Sequence, residues 1–214
     1  MALNPEFAVN PDPRCACVLL LDTSGSMDDE PILALNQGLR AFQEDIQADP
    51  LAKRRLEIAI VTFGGSVEKV QDFVTAGSFT APALVAGGGS PMGEAMALGL
   101  QLVKSRKAEY KENGVLYYQP WIFLITDGEP TDEWQSAAKT IKAETSTGGV
   151  LFFAVGVGDA NMQILSSITP RALKLEGLKF KELFLWLSQS QRRVSASKPG
   201  QQTTLPQVAF GSPV

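Results

Sequence analysis

The sequence predicts an α/β domain: a doubly wound, mostly parallel six-stranded sheet with one antiparallel edge strand and helices on both faces. Three observations carry this. Short apolar runs alternate with amphipathic stretches of helical period. The first run, Ala16 to Leu21, is almost wholly apolar, as a parallel strand covered on both faces requires. Finally, the turn Gly64-Gly65-Ser66 joins two strand-like runs, Leu56 to Phe63 and Val67 to Val74, which marks an antiparallel hairpin.

The remaining elements follow in order. After the first strand, Asp28-Asp29-Glu30-Pro31 opens a helix, with acids suited to the dipole and a proline suited to the first turn. Ile32, Leu35, Leu39, Phe42 and Ile46 recur at steps of three and four, so this helix is amphipathic and ends near Asp49-Pro50. Lys53-Arg54-Arg55 reads as a solvated loop. Beyond the hairpin, the loop Gly87-Gly88-Gly89 leads to Pro91 and a second helix. Its inner face is Met92, Ala95, Met96, Gly99 and Val103, with the two methionines as core, and its solvated end is Lys104 to Lys111.

Trp121 to Thr126 is the fourth strand, followed by an acidic loop and a helix from about Trp134 to Thr145. Val150 to Val157 is the fifth strand. A short helix around Met162 to Ile168, a short strand near Ala172 to Leu175 and a last helix from Lys179 to Arg193 complete the domain. Phe180, Leu183, Phe184 and Leu187 form that helix's buried stripe. The domain spans residues 14–195, between an extension over 1–13 and a flexible tail over 196–214 rich in Ser, Pro, Gly and Gln.

Composition excludes several classes. A hydrophobic fraction of 44% with 20% charged residues suits a soluble globule of 214 residues that needs no disulfide to fold. A net charge of −4 argues against nucleic acid as the partner. No apolar run approaches the ~20 residues that span a bilayer. Met1 to Asp12 lacks the basic and apolar regions of a signal peptide, so a cytoplasmic location is expected. The only cysteines, Cys15 and Cys17, project to one face of a strand, and there is no histidine to complete a soft-metal site. They read as small buried thiols in a reducing compartment. The lack of histidine also excludes a Ser-His-Asp hydrolase. No Gly-rich phosphate loop ending in lysine occurs, since Gly88 to Gly93 lacks one.

In a doubly wound sheet, ligands sit beyond the carboxyl ends of the strands where the strand order reverses. Three loops converge there. The first carries Asp22, Ser24 and Ser26, with Gly25 allowing a sharp turn. The Gly-rich loop ends in Ser90, and the loop after the fourth strand carries Asp127-Gly128-Glu129. Each segment alone is ordinary turn or cap chemistry. Together they supply three hydroxyls and two carboxylates, the oxygen set of a hard cation such as Mg²⁺, or alternatively Mn²⁺ or Ca²⁺. The candidate metal residues are therefore Asp22, Ser24, Ser26, Ser90 and Asp127. Asp28, Asp29, Glu30, Glu129, Asp132 and Glu133 are expected on the rim as solvated acids, with Trp134 close enough to meet a partner.

Asp22-x-Ser24-x-Ser26, a later hydroxyl and a later Thr126-Asp127-Gly128 resemble the metal-ion-dependent adhesion site of von Willebrand factor A domains, which have a Rossmann-like fold. The resemblance covers roughly residues 14–195. It implies that Ser24, Ser26 and Ser90 touch the metal directly, while Asp22 and Asp127 act through water or by bonding the ligands. One departure is Ser90, where the family usually has threonine. Leu19 to Met27, Gly89 to Gly93 and Phe180 to Ser188 are most similar to the bacterial tellurite-resistance branch, encoded alongside a phosphatase and a protein kinase. The implied function is a non-enzymatic binding module that captures a Glu or Asp carboxylate of a partner protein, possible partners including a kinase or phosphatase, in a stress-response or signalling assembly. Two alternatives stand beside it: a Mg²⁺-dependent phosphatase or hydrolase, and a docking subunit of a complex served by an ATPase. An aspartyl-nucleophile phosphatase normally has a second carboxylate two residues on, where this chain has Ser24.

Overall fold

The computed structural model describes Phe7 and residues 9–213. Strand β1 (Cys15–Asp22) is buried along its whole length, as its unbroken apolar run requires. Its side chains alternate between two cores. Cys15, Cys17, Leu19 and Leu21 face one side, together with residues of helix α1 (Glu30–Ala48) and helix α6 (Phe180–Ala196). Val18 and Leu20 face the other, with helices α3 (Met92–Glu112), α4 (Gln135–Ser146) and α5 (Met162–Ile168). Helix α2 (Ala52–Arg55) is one short turn ahead of β2 (Leu56–Gly64).

The sheet order is β3-β2-β1-β4-β5-β6-β7, completed by β3 (Ser66–Thr75), β4 (Trp121–Thr126), β5 (Leu151–Gly156), β6 (Ala172–Leu175) and β7 (Gly211–Pro213). β1 pairs in parallel with both β2 and β4, and β4–β5 and β5–β6 are also parallel. The doubly wound, mostly parallel sheet is thus as the alternation predicts, with the hairpin β2–β3 antiparallel at one edge. The strand order reverses between β1 and β4.

Three expectations need correction. The sheet has seven strands rather than six, because the chain past Ser195 is not a loose tail. It crosses the last helix and adds β7 antiparallel to β6. Phe210 is the anchor: it is fully buried, 5.6 Å from the Trp186 ring, and its carbonyl accepts from Glu176 N. Trp186 Nε1 also donates to Pro206 O at 2.9 Å. Local composition signals loop here, and burial of one aromatic overrides it.

Secondly, the far end of α3 is not uniformly solvated. Arg106 and Tyr110 are buried, and both meet Glu57, itself 0% exposed. Arg106 Nε donates to Glu57 Oε2 at 2.8 Å, the Tyr110 hydroxyl donates to the same oxygen, and Arg14 Nε lies 2.8 Å from Oε1 without hydrogen-bond alignment. Phe7 lies beneath both guanidiniums, tying the chain ahead of β1 to this cluster. Burial and the Glu57 charge push the Tyr110 phenol well above its ordinary range. Thirdly, Arg55 is no free loop cation. Its Nη1 donates to Ser195 O at 2.6 Å and so holds the end of α6.

Cys15 and Cys17 are free, buried thiols on the face predicted for them. Cys15 donates to Gln191 Oε1 at 2.9 Å, and burial raises the Cys17 thiol to about 12. No helix among the described residues is long and apolar enough to cross a membrane.

Candidate metal centre

At the reversal point β1 leads into the short helical turn Gly25–Met27 and then α1, which packs on one face. β4 leads through an acidic loop into α4 on the other face. The two chains therefore part at their carboxyl ends and leave a crevice over Asp22 and Asp127.

The five candidate residues form one continuous set of contacts. Asp22 is 0% exposed. Its Oδ1 accepts from Ser24 N at 2.8 Å, and its Oδ2 accepts from Ser90 Oγ at 3.0 Å. Ser24 Oγ is 3.1 Å from Ser26 Oγ, which donates to Asp127 Oδ1 at 2.7 Å. The Ser24–Ser26 spacing matches the edge of an octahedron with metal–oxygen bonds of ~2.0–2.1 Å, about 2.9 Å. The donor chemistry thus fits a hard divalent cation. Three hydroxyls and two carboxylates make up this oxygen set; among the described residues no group of three or more His, Cys, Asp and Glu side chains is placed to hold an ion.

The electrostatics point the same way. Among the described residues, every hydrogen bond that Asp22 accepts comes from a neutral donor, the third being Thr126 Oγ1 at 2.5 Å. No lysine or arginine pairs with it among the described residues. Asp127 is half-buried, and its carboxyl is held above the usual range, first by burial and then by the charge of Asp22, against the opposing hydrogen bond from Ser26. Two neighbouring carboxylates with no protein cation between them leave a negative field for an ion to neutralise.

Main-chain contacts fix the loops relative to each other. Gly87 N donates to Thr23 O at 2.8 Å, Gly25 N to Gly88 O at 2.9 Å and Gly65 N to Gly89 O at 2.7 Å. Gly88 has φ +77°, and a Cβ there would stand 2.5 Å from Gly65 Cα, so only glycine allows this approach. Ahead of the glycines, Asn36 on α1 both donates to Leu84 O (2.9 Å) and accepts from Leu84 N (2.8 Å), pinning the loop to the helix.

The rim divides in two. Asp28, Asp29, Glu30, Glu129 and Glu133 are exposed, as expected. Asp132 acts differently, because its two oxygens accept Gly93 N (2.9 Å) and Glu94 N (2.8 Å), capping α3 from a neighbouring loop. Trp134 is half-buried against the core beneath α4, so it serves packing. Sequence reasoning placed Thr126 in the motif and Asp132 on the rim but did not foresee the bond from Thr126 to Asp22 or the cap that Asp132 makes. For Thr126 a signal existed, since a hydroxyl directly ahead of Asp127-Gly128 ends a buried strand beside Asp22. For Asp132 none did, because its partners lie about forty residues away.

No curated protein matches the chain. Among solved structures, proximal thread matrix protein 1 from the mussel byssus is 17% identical with a TM-score of 0.59, over 86% of this chain and 49% of that one. The manganese-loaded TRAP protein of Plasmodium vivax is 15% identical, TM-score 0.58, over 82% and 73%. The pilus adhesin SpaC of Lactobacillus rhamnosus GG is 15% identical, TM-score 0.67, over 87% and 31%. Such identities establish the shared fold, and the chain spans about half the length of the mussel protein. The von Willebrand factor type A domain profile matches residues 17–178, most of the chain, and the protein belongs to that family.

Proposed function

We propose that the chain is a divalent-cation-dependent protein-binding module whose metal centre captures a Glu or Asp side chain of a partner. The observation that carries this reading is Asp22: a fully buried carboxylate bonded, among the described residues, only to neutral donors, beside the half-buried Asp127. Ser24, Ser26 and Ser90 would hold the ion directly, with Asp22 and Asp127 orienting them and supplying charge. Mg²⁺ is the proposed ion, with Mn²⁺ and Ca²⁺ as the other hard cations this oxygen set suits. The mussel protein has a structure with zinc in its metal-ion-dependent adhesion site, and the TRAP structure carries manganese, which supports a divalent ion at the equivalent crevice.

When bound, the ion supplies a positive charge only partly quenched by neutral hydroxyls, and so attracts an outside carboxylate. Ser26 is exposed and sits at the mouth, while Asp22 and Ser90 lie beneath. An arriving acid would therefore reach the ion from the Ser26 side, above the buried Asp22. The exposed acids of the rim would repel a partner that is acidic throughout. A hydrolytic role with Asp22 as nucleophile is the weaker reading, because both its oxygens are already engaged by hydrogen bonds within the core. A stress-response or signalling setting, with a kinase or phosphatase as partner, rests on the likeness of Leu19 to Met27 to the tellurite-resistance branch; docking in an ATPase-served assembly is the neighbouring alternative.

The test is a titration followed by a capture. Calorimetry with Mg²⁺ and Mn²⁺ should show one site in the parent and none in Asp22→Ala. Immobilised parent protein should retain a partner from its native cell extract with Mg²⁺ and release it with EDTA. Equal retention in EDTA, or by Asp22→Ala, overturns the reading.

A further inference from the structure

Beside the metal centre, β3 and the chain that leads into the Gly-rich loop bound an open cavity of about 290 Å³. Its inner end is Thr23, which stands between Asp22 and Ser24 and accepts from Gly87 N at 2.8 Å, so the cavity adjoins the crevice. Its exposed lining is Glu68 and Val70 from β3, with Ala83 and Val85 from the other segment. Val70 is 42% exposed and Val85 84%; with Leu33 at 60% they are three of the six exposed large hydrophobics among the described residues. Leu33 lies one turn ahead of Asn36 on α1, and Asn36 holds Leu84. Apolar surface is thus gathered on one flank of the metal crevice.

The main chain of that flank is also open. Asn36 accepts from Leu84 N at 2.8 Å and donates to Leu84 O at 2.9 Å, so both groups of Leu84 point at α1. In an extended chain the groups of the residues on either side then point the other way. Ala83 and Val85 make no main-chain hydrogen bond among the described residues. Their side chains are exposed and that of Leu84 is buried, the alternation of a strand. No residue from Phe79 to Ser90 is charged, whereas β3, at the free edge of the sheet, carries Glu68, Lys69 and Asp72. Charges on an edge deter the addition of a further strand, and the Ala83–Val85 edge has none.

On the reading that the metal centre captures a partner's acid, we propose that this acid arrives in an extended segment of the partner. The segment pairs its main chain with Ala83 and Val85 and lays an aliphatic side chain against Val70 and Val85. Strand addition draws affinity from the main chain and specificity from alternate side chains. The aliphatic residue stands a few positions from the acid, because Val85 is two residues from Gly87, which is bonded to Thr23. A second acid in its place would face Glu68. A helical segment would leave the groups of Ala83 and Val85 without partners.

The probes are fluorescein-labelled nonapeptides with a central Glu in a Ser-Gly background. One Leu is moved through the other positions, and a Leu-free peptide is the control. Anisotropy is read in Mg²⁺ and in EDTA. In Mg²⁺ at least one Leu register should bind about fivefold more tightly than the control, the gain from partly burying one aliphatic side chain. Val85→Ser, which keeps the main-chain amide, should bring that register to within about twofold of the control. Val85→Pro, which removes the amide proton, should weaken the same peptide at least about fivefold. N-methylating the peptide's amides one at a time tests the pairing from the other side, and at least one position should show an equal loss. Unchanged thermal unfolding and Mg²⁺ affinity show that each variant is intact. Glu-dependent binding in Mg²⁺ without a preferred Leu register, or a preference that survives either variant, overturns the extended-segment surface and leaves metal-dependent capture standing. Binding indifferent to EDTA and to Glu→Gln in the peptide overturns the capture instead. No saturable binding of any peptide overturns the surface, while calorimetric uptake of Mg²⁺ still decides the ion.

Discussion

At the amino ends of the strands, Glu57 is fully buried and faces two guanidiniums, Arg14 and Arg106, together with the Tyr110 hydroxyl. At the carboxyl ends, Asp22 is just as buried and, among the described residues, accepts hydrogen bonds only from Ser24 N, Ser90 Oγ and Thr126 Oγ1. Removing a carboxylate from water is expensive at either place, and the two ends meet that cost differently. Glu57 is neutralised by the protein itself, so its end is complete as folded. Asp22 is solvated by dipoles but not neutralised, and on the proposed reading a cation from outside completes its end. Burial alone therefore does not separate a structural acid from a functional one; the charge of its partners does.

The largest effect that sharpens this contrast is expected at Glu57. Glu57→Gln removes the counter-charge that Arg14 and Arg106 share, of which Arg106 keeps Glu109 at 2.7 Å, and should cost about 3 kcal/mol of stability in urea unfolding, with or without Mg²⁺. Asp22→Asn tests the other end. Without metal its stability should stay within about 1 kcal/mol of the parent, since the change removes a charge the protein never paired. With Mg²⁺ at a hundredfold excess over its dissociation constant, the parent should gain about 2.7 kcal/mol and the variant nothing. A metal-free loss as large as that of Glu57→Gln would break the comparison. The smallest effect belongs to Asp132→Ala, which removes the cap of α3 and should lower stability by about 1 kcal/mol. Its Mg²⁺-dependent gain should persist; if that gain disappears, Asp132 belongs to the metal centre as well as to the helix.

What could be read in the sequence follows a physical line. The strands β1, β4 and β5 were legible because burial on both faces demands unbroken apolar runs, and the loops at their ends because Gly25, Gly88 and Asp127-Gly128 punctuate them. The five oxygen-bearing residues were legible because that fold brings strand ends together. The structure places all five in one hydrogen-bonded set. The Arg14–Glu57–Arg106 cluster was not legible, since Arg106 sits amid Lys104, Lys107 and Lys111 and shares their local pattern. Its burial is decided by Glu57, forty-nine residues away. The strap past Ser195 failed for the same reason: one phenylalanine among Ser, Gly, Pro and Gln leaves no periodic trace, yet Phe210 fixes the seventh strand.

The stitching of Gly87 to Thr23 and of Gly25 to Gly88 runs through main-chain amides and carbonyls. Scaffold and donors are consequently separable: the peptide backbone sets where the vertices stand, and the side chains decide what each vertex offers. If the proposed ion binds here, single hydroxyl or carboxylate replacements would adjust its selectivity without rebuilding the loops beneath.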